Sequence, residues 1–284
     1  MGGKLDELLA IFDLEQVEVD LFRGRIPGSP LQPLFGGHVI GQSVVAVSRT
    51  VSADRPIHSV HAYFLLPGDA TVPLVYEVYQ VRDGGTFSTR WVRAKQWGRT
   101  IFVADASFHA AAPGLEHQQP MPPAPAPDSL PSLMDTFQTT FGTLGEWGGL
   151  DVRWGGPWPP DDSLTGVYEP HNQVWLRTAE PMPEDPVLHA AVFAYASDLA
   201  FLTPVLLPHG KLMWSRGMRV ASLDHSIWFH RPFGVSDWLL YDQVSPAAAD
   251  TRGLVFGGVY TASGTRVAST AQEGLVRPAN PAAS

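Results

Sequence analysis

The run Leu188–Pro208, LHAAVFAYASDLAFLTPVLLP, limits what this chain can fold into more than any other segment. Numbered as a helix, one side carries Val187, Ala191, Ala194, Asp198 and Phe201, and the adjoining side Leu188, Val192, Tyr195, Leu199 and Leu202. A helix that is apolar nearly all round has to be wrapped by other structure. Its single acid, Asp198, is costly there unless it is hydrogen-bonded or ion-paired. Two readings of Asp198 follow: it satisfies local backbone or hydroxyl donors, or it is poised for chemistry in a dry site.

What wraps the helix is legible as a repeat. In the first half, Gly36–Val51 reads as a helix, followed by strand-like runs at Ser59–Leu66, Val72–Arg82, Ser88–Gln96 and Thr100–His109. In the second, the helix is Pro186–Leu202 and the strand-like runs are Met218–His230, Trp238–Val244, Leu254–Thr261 and Arg266–Val276. Pro67 after YFLL matches Pro232 after WFHR at an offset of 165, and Leu74-Val75-Tyr76-Glu77 falls on Leu239-Leu240-Tyr241-Asp242 at the same offset. Gly98 matches Gly264 with one residue of slip. A spacing held over this distance argues for an internal duplication. Each half is then a helix followed by an antiparallel meander that buries one face on it. Two such units side by side form an α+β double hotdog.

The expected boundaries are an N-terminal hotdog unit at 1–112, a linker and irregular connection at 113–160, a C-terminal unit carrying the catalytic residues at 161–278, and a tail at 279–284. Residues 113–133 hold seven prolines in 21 positions, which predicts an extended surface path between the halves. Met134–Pro160 mixes Trp, Gly and Pro without a clean period and gets no assignment.

Charge and composition exclude several classes. Residues 1–112 carry 10 basic and 11 acidic side chains, and 113–284 carry 9 and 17, so neither half has the basic balance of a nucleic-acid binder. With no cysteine, disulfides, zinc thiolates and cysteine nucleophiles are ruled out. The N-terminus has early acids and no long apolar core, unlike a signal peptide. His189, Asp198 and Pro204 interrupt the most apolar run, against a membrane span. The expectation is a cytoplasmic protein. No G-x-S-x-G elbow, H-E-x-x-H, G-x-G-x-x-G or P-loop pattern occurs. His58 and His61, three apart on an expected strand, should point to opposite faces and make a poor metal pair; no metal and no cofactor is implied.

Asp198 therefore needs partners from the second half. Polar residues interrupt the apolar strands at Ala221–Phe233 and Val267–Gly274. From these, Ser222 and Gln272 are the right types to share a water with a carboxylate. The acid takes the water's proton while the hydroxyl and amide hold it in line.

The runs YASDLAFL (195–202), LDHSIWFHRPF (223–233), DWLLY (237–241) and ASTAQEGLVR (268–277) closely resemble the acyl-CoA thioesterase II family. LFGGHVIGQS (34–43), HSVHAYFLLPGD (58–69) and RDGGTFSTRWV (82–92) look like the same family's first half. The resemblance implies a double hotdog that hydrolyses fatty acyl-CoA to a free acid and CoA by direct water attack, and it places the catalytic acid, alcohol and amide on Asp198, Ser222 and Gln272. This chain departs from the family pattern twice. Ser222 stands where threonine is also used and lacks the methyl that stiffens its rotamer. His38 stands where glutamine is common. Gly37 and His38 open the first helix and are candidate substrate-binding residues, near backbone N–H groups that could meet a thioester carbonyl; close packing is the other reading of the glycines.

Two alternatives remain open. Asp224-His225 invites a hotdog dehydratase, although neighbours on a strand face opposite ways, which favours a supporting role for both. A non-catalytic acyl-CoA binder would keep the fold and make Asp198 dispensable. Arg90, Arg93, Arg231 and Arg266 are cations available to CoA phosphates, though ordinary surface charge accounts for any one of them. By fold analogy a homo-oligomer is expected.

Overall fold

The computed structural model describes residues 3–26, 33–141, 145–157, 166–213 and 215–279. Of the expected tail only Ala279 falls among them, and residues 142–144 and 158–160 of the expected connection and 161–165 of the expected C-terminal unit lie outside them.

The first half runs α1 (Lys4–Ala10), β1 (Glu15–Glu18), β2 (Leu21–Gly24), α2 (Gly36–Ser48), β3 (Ile57–Phe64), β4 (Leu74–Asp83), β5 (Phe87–Gln96) and β6 (Arg99–His109). The second follows with α3 (Leu133–Phe141), β7 (Leu150–Trp154), β8 (His171–Thr178), α4 (Pro186–Ser197), α5 (Thr203–Leu206), β9 (Met218–Ser222), β10 (Asp224–Phe229), β11 (Leu239–Ala249), β12 (Arg252–Thr261) and β13 (Arg266–Pro278). The segment that carries no clear period thus contains a helix and a strand. Strand β7 extends the sheet by pairing with β8.

Among the described residues, thirteen strands join one sheet in the order β1-β2-β4-β5-β6-β3-β10-β13-β12-β11-β8-β7, with β9 on β13. The order reads the same from both ends once the halves are superposed. The halves meet where β3 pairs antiparallel with β10, and the pair His61↔Ser226 joins residues separated by the repeat offset itself. A pseudo-two-fold axis therefore passes through that pair, with His61 Nδ1 3.1 Å from Ser226 Oγ. The duplication is exact at β5 and β12, and the turns after both strands place Gly98 (φ 73°) and Gly264 (φ 90°) in the left-handed region.

Helices α2 and α4 lie inside the wrap. Residues Ala190–Ser197 of α4 are all buried, and Asp185 caps the helix by accepting from the Val187 and Leu188 N–H groups. The helices run antiparallel and touch backbone to backbone. A Cβ at Gly37 would lie 2.2 Å from the Tyr195 carbonyl oxygen, and one at Gly41 2.9 Å from that of Ala191. Glycine at both positions is what permits this approach, and the contact is helix to helix rather than helix to sheet.

Three expectations are corrected. Helix α4 ends at Ser197, not Leu202; Asp198 is its C-cap and Ala200 turns the chain with φ 59°. The expected strand Met218–His230 breaks after Ser222. His58 and His61 share the outer face, because β3 slips register between Ile57 and Ser59. His58 Nε2 then meets Ser107 Oγ at 2.8 Å, while His61 sits opposite Asp105, two residues along β6 on the same side.

The proline-rich segment holds neither helix nor strand up to Ala126, and Pro127–Ser129 then form one 3₁₀ turn. It is fastened along the outer face of the second half: Trp175 Nε1 donates to the Pro125 carbonyl and Gln173 Nε2 to that of Pro123, while Met121, Ala124 and Leu130 cover Trp175, Leu240 and Tyr260.

Candidate active site

Asp198, Ser222 and Gln272 come together from three elements. The end of α4 supplies Asp198. Ser222 is the last residue of β9, opposite Gly274 of β13, whereas Ser226 lies opposite Ala271. Four steps on one strand against three on the other define a bulge. The Asp224 carboxylate fastens it by accepting the Glu273 N–H at 2.8 Å, and the Leu223 N–H donates to the Glu273 carbonyl. The bulge brings Ser222 level with Gln272.

The three side chains form a closed triangle. Gln272 Nε2 donates to Asp198 Oδ1 at 2.9 Å and to Ser222 Oγ at 2.6 Å, and Ser222 Oγ donates to the same Oδ1 at 3.2 Å. Asp198 is 6% exposed and Gln272 1%. The second carboxylate oxygen, Oδ2, makes no hydrogen bond among the described residues. It faces the start of α2, where a Cβ at Gly36 would lie only 2.7 Å from it. The first N–H groups of a helix have no intrahelical acceptor. A nearly buried acid with one oxygen held and one open, beside the start of a helix, can accept a proton next to a place for negative charge.

His225 lies behind the triangle. It is fully buried on β10, with Nδ1 2.8 Å from Gln272 Oε1 and Nε2 2.9 Å from Ser197 Oγ. Burial lowers its pKa, and the Asp198 carboxylate opposes that shift. Asp224 turns the other way, is half-buried, and has its pKa raised, first by burial. The two do not share one reaction centre.

Of the helix-opening residues, Gly37 is occupied by the contact with α4, and Gly36 rather than Gly37 borders the carboxylate. His38 is completely buried, with Nε2 3.1 Å from the Arg25 carbonyl oxygen; no hydrogen bond joins it to the triangle. Desolvation lowers its pKa to about 4, opposed by the Arg25 bond. Between pH 6.5 and about 4 the unfolded chain takes up a proton that the folded chain refuses. Stability therefore falls as pH drops through that window, by on the order of 3 kcal/mol for this ring. His38→Gln should flatten the acid limb of a urea-midpoint curve between those pH values, leaving the slope due to the other histidines whose pKa burial lowers. An unaltered slope would show that His38 is not held neutral.

The sequence missed Gly36 as a neighbour of the acid, and Ser197. The only signals were their places next to Gly37 and Asp198. Among the arginines, Arg90 is 2% exposed and bound to Asp83 and Thr50, so it belongs to the first unit's interior. Among the described residues no group of three or more His, Asp or Glu is placed to hold a metal ion, and no helix is long and apolar enough to cross a membrane.

The first unit has no second triangle. Aligning the helix ends Ser48 and Ser197 puts Arg49 at the place of Asp198. The strand register puts Ile57 at that of Ser222 and Ala106 at that of Gln272.

Similarity to known proteins places the chain in a family. Residues 27–109 match the family described as acyl-CoA thioesterase N-terminal domain and residues 159–275 the one described as acyl-CoA thioesterase. Acyl-coenzyme A thioesterase 8 of Homo sapiens is 37% identical over 94% of this chain and 88% of its own. Acyl-CoA thioesterase 2 of Haemophilus influenzae is 35% identical over 98% and 99%. The crystal structure of the acyl-CoA thioesterase II TesB2 from Mycobacterium marinum superposes with a TM-score of 0.80, at 43% identity over 95% of this chain and 98% of that one. With the expected α+β double hotdog in place, the chain belongs to the acyl-CoA thioesterase II family of thioester hydrolases.

Proposed function

We propose that this protein hydrolyses fatty acyl-CoA by direct attack of water, with Asp198 as general base. The observation that carries the reading is the open Asp198 Oδ2 beside the start of α2, its sister oxygen held by Ser222 and Gln272. Both N–H bonds of the Gln272 amide are spent within the triangle. Gln272 therefore aligns the acid and the alcohol, and Ser222 Oγ keeps a lone pair for a water hydrogen. A water that donates to Oδ2 and to Ser222 Oγ presents its own lone pair to the thioester carbon.

The water O–C bond forms as one proton passes to Asp198. Negative charge collects on the thioester oxygen near the Gly36 and Gly37 N–H groups, where the helix dipole favours it. The C–S bond then breaks, CoA leaves as thiolate, and the proton held on Asp198 returns to it or to solvent. No covalent acyl-enzyme is required, in keeping with the absence of a cysteine.

The dehydratase alternative loses support from the opposed directions of Asp224 and His225 and from the engagement of both His225 ring nitrogens. Thiol release from acyl-CoAs of graded chain length is the direct test, and the chain adds no thiol background of its own. Hydrolysis with a length optimum is expected. An enoyl-CoA that loses its conjugated absorbance with no thiol appearing would overturn the reading in favour of hydration.

A further inference from the structure

A primary carboxamide has two ends that differ only in what they bond. The function proposed for Gln272 requires its nitrogen to face Asp198 and Ser222. Turned over, it would set Oε1 against Asp198 Oδ1 at 2.9 Å, acceptor against acceptor, and the acid would lose a donor. The triangle alone does not hold the amide in the productive sense, because Ser222 can donate to Oε1 as readily as accept from Nε2. The far end of the amide settles the matter.

That far end is Oε1, 2.8 Å from His225 Nδ1. We propose that His225 is a positioning residue for hydrolysis: its Nδ1–H holds the Gln272 carboxamide with the nitrogen toward Asp198. The proposal rests on the general-base reading above and names a further member of the same site.

The ring is itself fixed. Nε2 lies 2.9 Å from Ser197 Oγ, whose hydroxyl also reaches the Ala194 carbonyl at 2.9 Å. Phe201 stands edge-on to the imidazole with ring centres 5.6 Å apart, and Tyr241 stacks on Phe201 at 5.0 Å. The Tyr241 hydroxyl bonds Thr270 Oγ1 at 2.8 Å and reaches the Ser197 carbonyl at 3.2 Å. The ring therefore cannot swing to meet an inverted amide, and the residue immediately before the catalytic acid supports it. A neutral ring with the proton on Nδ1 takes the Ser197 hydroxyl hydrogen in place of the Ala194 carbonyl; a charged ring donates at both nitrogens and leaves that hydrogen on Ala194. Either state gives Gln272 Oε1 its donor. Only the Nε2–H tautomer would invert the amide, and that tautomer places two acceptors in contact beside Asp198. The charged groups around the ring are Asp198 and Asp224, both acids, and neither favours a bare Nδ1.

The test compares His225→Leu, His225→Asn, Gln272→Ala, the His225→Leu/Gln272→Ala double variant and Asp198→Asn. His225→Leu should lower kcat on the order of 100-fold by misplacing a catalytic group, with KM for the same acyl-CoA within about twofold. His225→Asn, whose side-chain N–H stands near the position of Nδ1–H, should recover most of that loss. In the Gln272→Ala background the His225→Leu change should cost less than about twofold, because the group it positions is gone. Ring nitrogen spectra of the wild-type chain with labelled histidine should show a protonated Nδ1 for the resonance that His225→Asn removes.

A His225→Leu enzyme within about threefold of wild type, losses that multiply in the double variant, or a bare Nδ1 would overturn the positioning role. If His225→Leu does not fold, the ring spectrum decides alone. Full activity in Asp198→Asn would bring down the general-base reading and this proposal together. Activity lost in Asp198→Asn and Gln272→Ala but kept in His225→Leu would remove only the proposal.

Discussion

Asp198→Asn is expected to leave a folded protein whose kcat for acyl-CoA hydrolysis has fallen on the order of 1,000-fold. Asparagine keeps the volume and one carbonyl oxygen, so Ser222 and Gln272 retain an acceptor where Oδ1 stands. What disappears is the open Oδ2 that takes the proton. KM should move little, since in the proposed mechanism the acid contacts the water and not the CoA. Melting temperature should change by only a few degrees, because the neutral amide removes a buried charge along with its partners' strongest bonds. The measurement is thiol release with stopped-time thermal denaturation on the same preparation. Activity within about threefold of wild type would take Asp198 out of the mechanism and favour the non-catalytic binding alternative.

The largest expected effect on stability is Gly37→Ala. The added carbon would fall 2.2 Å from the Tyr195 carbonyl oxygen and 2.4 Å from a Phe35 ring carbon. A side chain can turn aside; a helical carbonyl cannot, so α2 and α4 must part. Overpacking costs about 3 kcal/mol when the neighbour does not yield, on the order of a 10 °C fall in Tm for a chain of this size. Activity should fall further than stability, because the same displacement carries the α2 N–H groups away from Asp198. Gly85→Ala is the matched control, since nothing lies within 4 Å of the carbon it adds. A Gly37→Ala protein melting with the wild type would mean the helices do not pack as closely as described.

How much of this was written in the sequence depends on what set each feature. The duplication was legible because strand spacing is fixed by turn chemistry. Residues 87–96 and 252–261 share their offset, and the glycines at 98 and 264 both supply a left-handed turn. The triangle was legible by residue type, since an acid in an apolar run needs donors and two polar interruptions were at hand. The end of α4 was not, because Leu199–Leu202 continue the apolar period and only Ala200's backbone breaks it. The bulge after Ser222 left no local mark either; it comes from pairing with β13 and from Asp224 reaching the Glu273 N–H. The shared face of His58 and His61 escaped for the same reason, as register slips belong to the partner strand as much as to the strand itself. Segment 134–160 stayed opaque because its helix and strand are short, nine and five residues.

The place where β3 meets β10 has one more consequence. In a pair of identical protomers every amino-acid change is made twice, once on each side of the axis. Here both sides are encoded in a single polypeptide and can diverge. Arg49, Ile57 and Ala106 can therefore serve solidity alone, with Arg49 tying α2 to the Leu14 carbonyl. The two-fold-related end keeps the buried acid Asp198. Stability and reactivity, which compete for the same positions in a symmetric assembly, are divided between two halves of one molecule, and an active-site titration should count one equivalent per polypeptide.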